Sequence, residues 1–303
     1  MIRITSVAVL CLLGLTAVSP ARAQSCAAAV GTLRTALQGA PLMDVMRIYR
    51  SQVEPGCLDA PAAAAARGVA LRHLKEAVGR PAGLERLALL RAGLQVSAEP
   101  WQLHEALGDA LQVAGDFGTA ATHYQLAMNA MHHLATGLEE PLQINIAQVA
   151  AKAQQARLLA TAPVPLPRTR DGSLGGLALR TLRGFEVEAR AQPIHFITDS
   201  DQPTPEGQAA ITQLAEQLRE QGNPPITLVG HTDERGNDAH NDALSLRRAQ
   251  RVAEILRSQF HYAAAIRPEG RGKRQPLRIV QVDGKTYTQA ERWQLDRRVE
   301  LVR

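Results

Sequence analysis

A short apolar segment, a polar turn and a long amphipathic helix follow one another between Pro224 and Leu256. The segment PPITLV alternates in the way that is typical of a half-buried strand, and turn residues take over at Gly230. From Asp238 to Leu256 there is no Gly or Pro, and apolar residues recur at helical spacing. The sequence therefore predicts a strand, a tight loop and a helix with one apolar face.

The polar residues of this stretch are expected to meet. Asp233 stands at the C-terminal end of the predicted strand. Asn241, Ser245 and Arg248 follow at intervals of four and three residues, which places them on one face of the helix. The pattern predicts a small polar site that holds both a carboxylate and a guanidinium.

The same residues resemble the OmpA-like peptidoglycan-binding domain, which combines a GHTD turn, a glycine three residues on, and N, LS and RA on the next helix. The matching residues are Gly230, Thr232, Asp233, Gly236, Asn241, Leu244, Ser245, Arg248 and Ala249. The resemblance runs from about Ile194 to Leu301 and departs from the usual pattern at Gln202-Pro203. It implies that Asp233 and Arg248 grip the diaminopimelate of the stem peptide, with Asn241 and Asp199 at matching positions beside them.

The chemistry of this ligand agrees with the residue types. Diaminopimelate carries a free ammonium and a free carboxylate on one carbon, so its recognition needs one anion and one planar cation. Arg248 offers the parallel hydrogen bonds that a lysine cannot reproduce, and Asp233 offers the anion. A mutual ion pair between the two is the alternative. Arg297 and Arg298 are expected to fix the last strand, and Ser245 to bond its own helix.

The start of the chain resembles a secretory signal peptide, residues 1–23. Arg3 precedes the apolar run VAVLCLLGL, and Ala21-Arg22-Ala23 forms an A-x-A cleavage site. This run is too short for a transmembrane span, and no later stretch approaches the roughly 20 apolar residues that a spanning helix needs. We expect an exported, periplasmic protein associated with the cell wall or the outer membrane.

Two cysteines, Cys26 and Cys57, remain after removal of the signal peptide. An oxidising periplasm permits their pairing. No CxxC or Cys/His arrangement accompanies them, so we expect a structural disulfide and not a catalytic pair.

Residues 24–160 are rich in Ala and Leu, have helical periodicity and contain no run of β-branched residues, so they predict an all-α domain. The segment EPWQLHEALGDALQVAGDFGTAATHYQLAM resembles a tetratricopeptide repeat through Leu107-Gly108, Ala120, Tyr124 and Ala127. Such helices expose a concave surface. We therefore expect this domain to dock an unidentified envelope protein.

Residues 161–184 contain alternating prolines and then glycines, which predicts a linker. Residues 185–303 alternate strand and helix patterns. The expected elements are strands at 185–191, 194–197, 226–230 and 266–272 and after Asp296, and helices from Pro205, from Asp238 and near 289–293. This order predicts an α+β sandwich, a mixed sheet with helices on one side.

Net charge and motifs limit the function. The formal charge of +5 includes two signal-peptide arginines, so the mature chain is modestly basic. Export disfavours nucleic acid and favours the cell wall as partner. We find no nucleophile–base assembly, cofactor motif or metal-ligand spacing, and His123, His132 and His133 are expected at helix surfaces. The interpretation is a non-enzymatic peptidoglycan anchor. The alternatives are a scaffold that no longer binds peptidoglycan and, less favoured, a wall hydrolase.

Overall fold

The computed structural model describes residues 20–134, 141–162, 164 and 189–302. Contacts between residues divide the chain into two compact units, Met1–Val69 and Ala70–Arg303. Residues 1–19 of the expected signal peptide and most of the expected linker lie outside the described residues. Within the described part, no helix has both the length and the apolar composition to cross a membrane.

The first unit is helical. It contains α1 (Pro20–Gly39), α2 (Leu42–Ile48), a π-helical turn (Tyr49–Val53) and the start of α3 (Ala60–Val78). Its small core is built from alanine, valine, leucine and tyrosine side chains, among them Leu33, which is fully buried.

The second unit begins with the rest of α3 and continues with four further helices, α4 (Leu84–Val96), α5 (Trp101–Val113), α6 (Phe117–Leu134) and α7 (Pro141–Leu159). They share a core that includes Leu103 and Tyr124. A Cβ at Gly108 would lie 2.7 Å from the Tyr124 ring, so this glycine lets α5 and α6 approach closely. The helical class expected for this region is confirmed, and the tetratricopeptide pattern stays a prediction.

A four-stranded mixed sheet forms the C-terminal part of the second unit. Its strands are β1 (Ala189–Gln192), β2 (Ile226–Gly230), β3 (Ile266–Gly270) and β4 (Val299–Val302). The strand order is β1-β4-β2-β3; β4 is antiparallel to both of its neighbours, and β2 and β3 are parallel. The register pairs Leu228 with Leu301 and Ile226 with Ile266.

Helices α8 (Pro205–Glu220) and α9 (Asp238–Phe260) cover one face of this sheet, and their apolar side chains form a single core with β2 and β4. The side chains of Thr204 and Asn237 cap the two helices by accepting hydrogen bonds from Gly207 N and His240 N. Helix α10 (Gln289–Asp296) precedes β4. The predicted α+β fold with a mixed sheet is confirmed.

The strand predicted at 194–197 is wrong, because only an isolated bridge between Phe196 and Pro203 forms there. The first strand of the sheet, β1 at residues 189–192, overlaps the strand expected at 185–191, of which residues 185–188 lie outside the described residues. The segment after β1 runs along the start of α8, where the carbonyl of His195 accepts a hydrogen bond from Thr204 N. The loop from Ile197 to Gln202 is closed by a hydrogen bond from Ile197 N to the Gln202 carbonyl. Gln202 and Pro203, where the sequence departs from the family pattern, thus form the end of this loop.

The opposite face of the sheet is partly covered as well. Val299 and Leu301 of β4 point to the face of the sheet that α8 and α9 cover. Glu300 lies between them and points to the opposite face, and Ala191, its partner on β1, points the same way. Ala191 packs with Leu158 and Leu159 of α7 and with Tyr287 and Leu295. The C-terminal end of α7 is therefore part of the same packed body as the sheet.

Candidate functional site

A polar pocket of about 460 Å³ lies where β2 ends, between the 195–200 loop, the start of α9 and the segment that enters β4. Three guanidinium groups and two carboxylates line it: Arg235, Arg248, Arg297, Asp199 and Asp233. All four predicted ligand-binding residues, including Asn241, are at this pocket.

Close packing of β2 against α9 fixes the turn that carries Asp233. A Cβ at Gly230 would lie 2.1 Å from the carbonyl oxygen of Ser245, so only a glycine lets the strand end approach the helix this closely. After Gly230, His231 N donates to the Arg298 carbonyl and Thr232 N donates to the Gly272 carbonyl. The turn is therefore hydrogen-bonded on both sides, and this fixes the position of Asp233 in the pocket wall.

Asp233 is almost fully paired within the protein. Its Oδ1 accepts hydrogen bonds from the backbone N and the Nε of Arg235, both at 3.1 Å. Its Oδ2 accepts from Arg235 Nη2 and Arg297 Nη1, both at 2.8 Å. Burial alone would raise the pKa of Asp233, but the hydrogen bonds from Arg235 and Arg297 outweigh it and lower the pKa. The carboxylate is ionised at neutral pH.

Arg248 is buried on α9 and differs from the other two arginines in its partners. Its Nε donates to the Ser200 carbonyl at 3.0 Å, and its guanidinium carbon lies 5.0 Å from the centroid of the Phe196 ring. Burial first, and the nearby Arg297 second, lower its pKa to about 10, so it stays charged at neutral pH. Among the ion pairs and hydrogen bonds of the described residues, none joins its terminal nitrogens to a carboxylate. The expected alternative, a mutual pair of Asp233 with Arg248, is not formed.

Asn241 and Asp199 take different roles at the pocket. The buried Asn241 donates from Nδ2 to the Arg235 carbonyl at 2.8 Å and so fixes the loop after Asp233. Asp199 is exposed, has a positive φ of 56°, and lies 2.7 Å from His240 Nε2. Asn241 thus supports the loop, and Asp199 stands at the rim.

Two arginines of the pocket were not predicted as site residues. Arg297 was expected to fix the last strand, but its guanidinium reaches Asp233. Arg298 does fix that strand, since it is buried and bonds Glu300 and the carbonyl of Gln275. Successive residues of a strand point to opposite faces of the sheet. The neighbouring positions of Arg297 and Arg298 therefore indicated that only one of the two could fix the last strand. No sequence signal marked Arg235.

The remaining polar residues of the motif are structural. Ser245 Oγ donates to the Asp242 carbonyl and accepts from Gly272 N, as expected for a residue that bonds its own helix. His231 is fully buried, with its Nε2 3.3 Å from Glu300. Among the described residues there is no cluster of three or more His, Cys, Asp or Glu side chains that could hold a metal ion.

The first unit contains the two cysteines. The structure joins Cys26 and Cys57 by a disulfide, with 5.5 Å between their Cα atoms. This bond closes α1 onto the segment that precedes α3.

Comparison with known proteins finds relatives of the C-terminal part of the chain. Residues 195–294 match the OmpA family. The peptidoglycan-associated lipoprotein of Pseudomonas aeruginosa is 34% identical over 132 residues, which cover 43% of this chain and 68% of that protein. Outer membrane protein A of Escherichia fergusonii is 41% identical over 75 residues, and the match spans 24% of this chain and only 31% of the relative.

A solved structure is also similar. The peptidoglycan-associated lipoprotein from Burkholderia pseudomallei aligns with a TM-score of 0.30 and 30% identity, covering 36% of this chain and 86% of that one. From the matched residues 195–294 and from the share of the Pseudomonas relative that is covered, we conclude that this chain belongs to the OmpA family.

Proposed function

We propose that this protein binds peptidoglycan non-covalently, that its pocket holds the free amino-acid centre of diaminopimelate, and that it acts as an envelope anchor and not as an enzyme. The observation that carries the proposal is Arg248, a buried guanidinium whose charge has no carboxylate partner within the described residues. A buried cation of this kind is costly unless an anion reaches it. The name of the Pseudomonas relative, a peptidoglycan-associated lipoprotein, supports peptidoglycan as the binding partner.

The zwitterion of diaminopimelate matches the charges of the pocket. Its carboxylate fits the terminal nitrogens of Arg248 as a two-pronged acceptor, and its ammonium fits Asp233. Each charge-assisted hydrogen bond contributes roughly 1.5 to 3 kcal/mol when shielded, and less where water enters. One stem peptide therefore binds weakly, and the polymeric wall retains the protein by rebinding at high local ligand concentration.

Sedimentation with purified sacculi at physiological salt tests this proposal. Arg248→Lys keeps the charge but loses the planar fork, and Asp233→Asn removes the anion while keeping the shape. Both variants should stay in the supernatant, with circular dichroism unchanged. Arg267→Lys is the matched control, because this arginine is exposed on β3 and belongs to a different surface.

Two outcomes would contradict the proposal. If both folded variants sediment like the wild type, the pocket does not bind diaminopimelate, and the scaffold alternative takes its place. If the wild type releases soluble muropeptides from the sacculi, the protein is a hydrolase.

The helical region is proposed to tether a second envelope protein to the wall, with the chain exported by its signal peptide to the periplasm. A groove of about 330 Å³ between α4, α5 and α6 supports this, since Leu94, Leu107 and Leu111 line it together with His123. Thr119→Arg places a long side chain from an exposed position into this groove. The variant should lose cross-linked partners in the periplasm but sediment with sacculi like the wild type. Unchanged cross-linking would exclude the groove as the docking site.

A further inference from the structure

Asp233 has no acceptor position left for a ligand. A carboxylate offers about four lone-pair positions, and here three hydrogen bonds come from Arg235 and one from Arg297. The side chain of Asp233 is only 8% exposed. An ammonium group can therefore reach this carboxylate only if one of the two guanidinium groups moves.

Arg235 is the more exposed of the two arginines at Asp233, so its guanidinium can be displaced at lower cost. Its side chain is 52% exposed, against 35% for Arg297, which leads directly into β4. The guanidinium carbon of Arg235 also lies 4.3 Å from the centroid of the Trp293 ring. Trp293 is itself held by a hydrogen bond from Nε1 to Glu234. Arg235 thus contacts Trp293 while it bonds Asp233, and this second contact can hold the guanidinium after Asp233 is released.

The charge of the pocket indicates what the displaced arginine would bind. Three guanidinium groups face two carboxylates, and one of these, Asp199, already lies against His240. One ligand carboxylate at Arg248 and one ligand ammonium at Asp233 would leave the positive charge of Arg235 without a partner. A second ligand carboxylate supplies one.

We propose that Arg235 occupies the position at Asp233 that the ligand ammonium takes, releases Asp233 but stays over Trp293 when the ligand enters, and there binds a second carboxylate of the ligand. The inference rests on the proposed function and adds a specificity residue to it. In the stem peptide, the residue before diaminopimelate is a γ-linked glutamate, whose α-carboxylate is either free or amidated. Arg235 makes the site selective for the free form.

Affinity measurements on the full chain with two synthetic tripeptides, L-alanyl-γ-D-glutamyl-diaminopimelate and its α-amidated glutamate form, test this. The wild type should bind the free form about threefold more tightly, the size expected for a half-exposed charge pair. Arg235→Gln should bind the two peptides equally. It should also bind the amidated peptide more tightly than the wild type does, because Asp233 is no longer occupied.

A matched control and a positional readout accompany the affinities. Arg267→Gln removes the same charge from a side chain that is 78% exposed on β3, and it should keep the wild-type preference. In a Trp101→Phe background, Trp293 is the one remaining tryptophan of the chain. Its emission should change on peptide binding when Arg235 is present and stay constant in Arg235→Gln.

The outcomes separate the two proposals. If Arg235→Gln keeps the preference for the free form, or binds the amidated peptide no more tightly than the wild type, the role of Arg235 is refuted and the pocket assignment stands. If the wild type binds neither peptide and also does not sediment with sacculi, the proposed function fails, and the role of Arg235 fails with it. If it sediments with sacculi but binds neither peptide at millimolar concentration, the role of Arg235 alone is refuted.

Discussion

Glu300 lies in a second cluster of buried charges, directly behind the turn that carries Asp233. Its Oε1 is 2.7 Å from Arg298 Nε, and its Oε2 is 3.3 Å from His231 Nε2. Burial alone would raise the pKa of Glu300, but His231 and Arg298 lower it to about 2. Because His231 is the second residue of the GHTD turn, this charged cluster supports the pocket without contacting a ligand.

The lowered pKa of Glu300 predicts an acid-dependent contribution to stability. A carboxylate with a depressed folded-state pKa stabilises the protein above its unfolded pKa, near 4.3, and this contribution is lost as the pH falls toward about 2. Glu300→Gln should therefore lower the free energy of unfolding at pH 7 by about 3 kcal/mol, and the difference from the wild type should shrink between pH 4 and pH 2.

Denaturant unfolding at a series of pH values measures this difference. Glu254→Gln, which alters an exposed pair with Arg251, is the control and should show little change at any pH. A gap between Glu300→Gln and the wild type that stays constant down to pH 2 would contradict the assigned pKa.

At the scale of elements, the sequence predicted the helix starts, the strand β2 and the polar face of α9, because residues close together in the chain determine these features. Thr204 before Pro205 is a local cap, and the strand β2 is marked by its alternation and by the preceding Gly-Asn-Pro. The helix face with Asn241 and Arg248 follows from spacing alone. These signals depend on neighbours in the chain, so they could be read without the fold.

Long-range packing decides the features that were not predicted. The segment 194–197 has a strand-like pattern, but Ile194 and Phe196 pack in the core that includes α8, and a Cβ at Gly207 would lie 2.1 Å from the His195 carbonyl oxygen. In the same way, Arg297 is separated from Asp233 by more than 60 residues, and only the pairing of β2 with β4 brings the two together. Composition and periodicity carry no information on such contacts.

At the scale of the whole molecule, the helices α5 and α7 are joined to the sheet domain by buried polar contacts. The hydroxyl of Tyr287 accepts hydrogen bonds from Gln112 and Gln155. The side-chain amide of Gln155 also donates to the Val280 carbonyl and accepts from Val280 N. Gln294, which lines the pocket, donates to the Leu158 carbonyl at 2.9 Å. The pocket wall is therefore anchored to the end of α7.

This interface predicts a single cooperative unfolding transition for α5–α7 and the sheet domain. The two tryptophans report on the two parts, Trp101 on the helices and Trp293 on α10. Trp101→Phe and Trp293→Phe each leave one reporter, and the fluorescence melts of the two variants should coincide. Adding Tyr287→Phe removes the hydroxyl that accepts hydrogen bonds from both glutamines, and it should lower the free energy of unfolding by about 1 to 3 kcal/mol. The melting temperatures reported by the two tryptophans should fall together. Two separate transitions, or a shift in only one part, would contradict this interface.

The position of β4 in the middle of the sheet has a consequence for the order of folding. β4 comes last of the four strands in sequence, yet it pairs with both β1 and β2, and Gln192 meets a residue as distant as Val299. Contacts of such long sequence separation form slowly. A chain made from its N-terminus therefore holds β1 unpaired until β4 arrives. Because His231 N bonds the Arg298 carbonyl and Asp233 bonds Arg297, the same late step that closes the sheet also completes the pocket. The pocket is thus complete only at the end of folding.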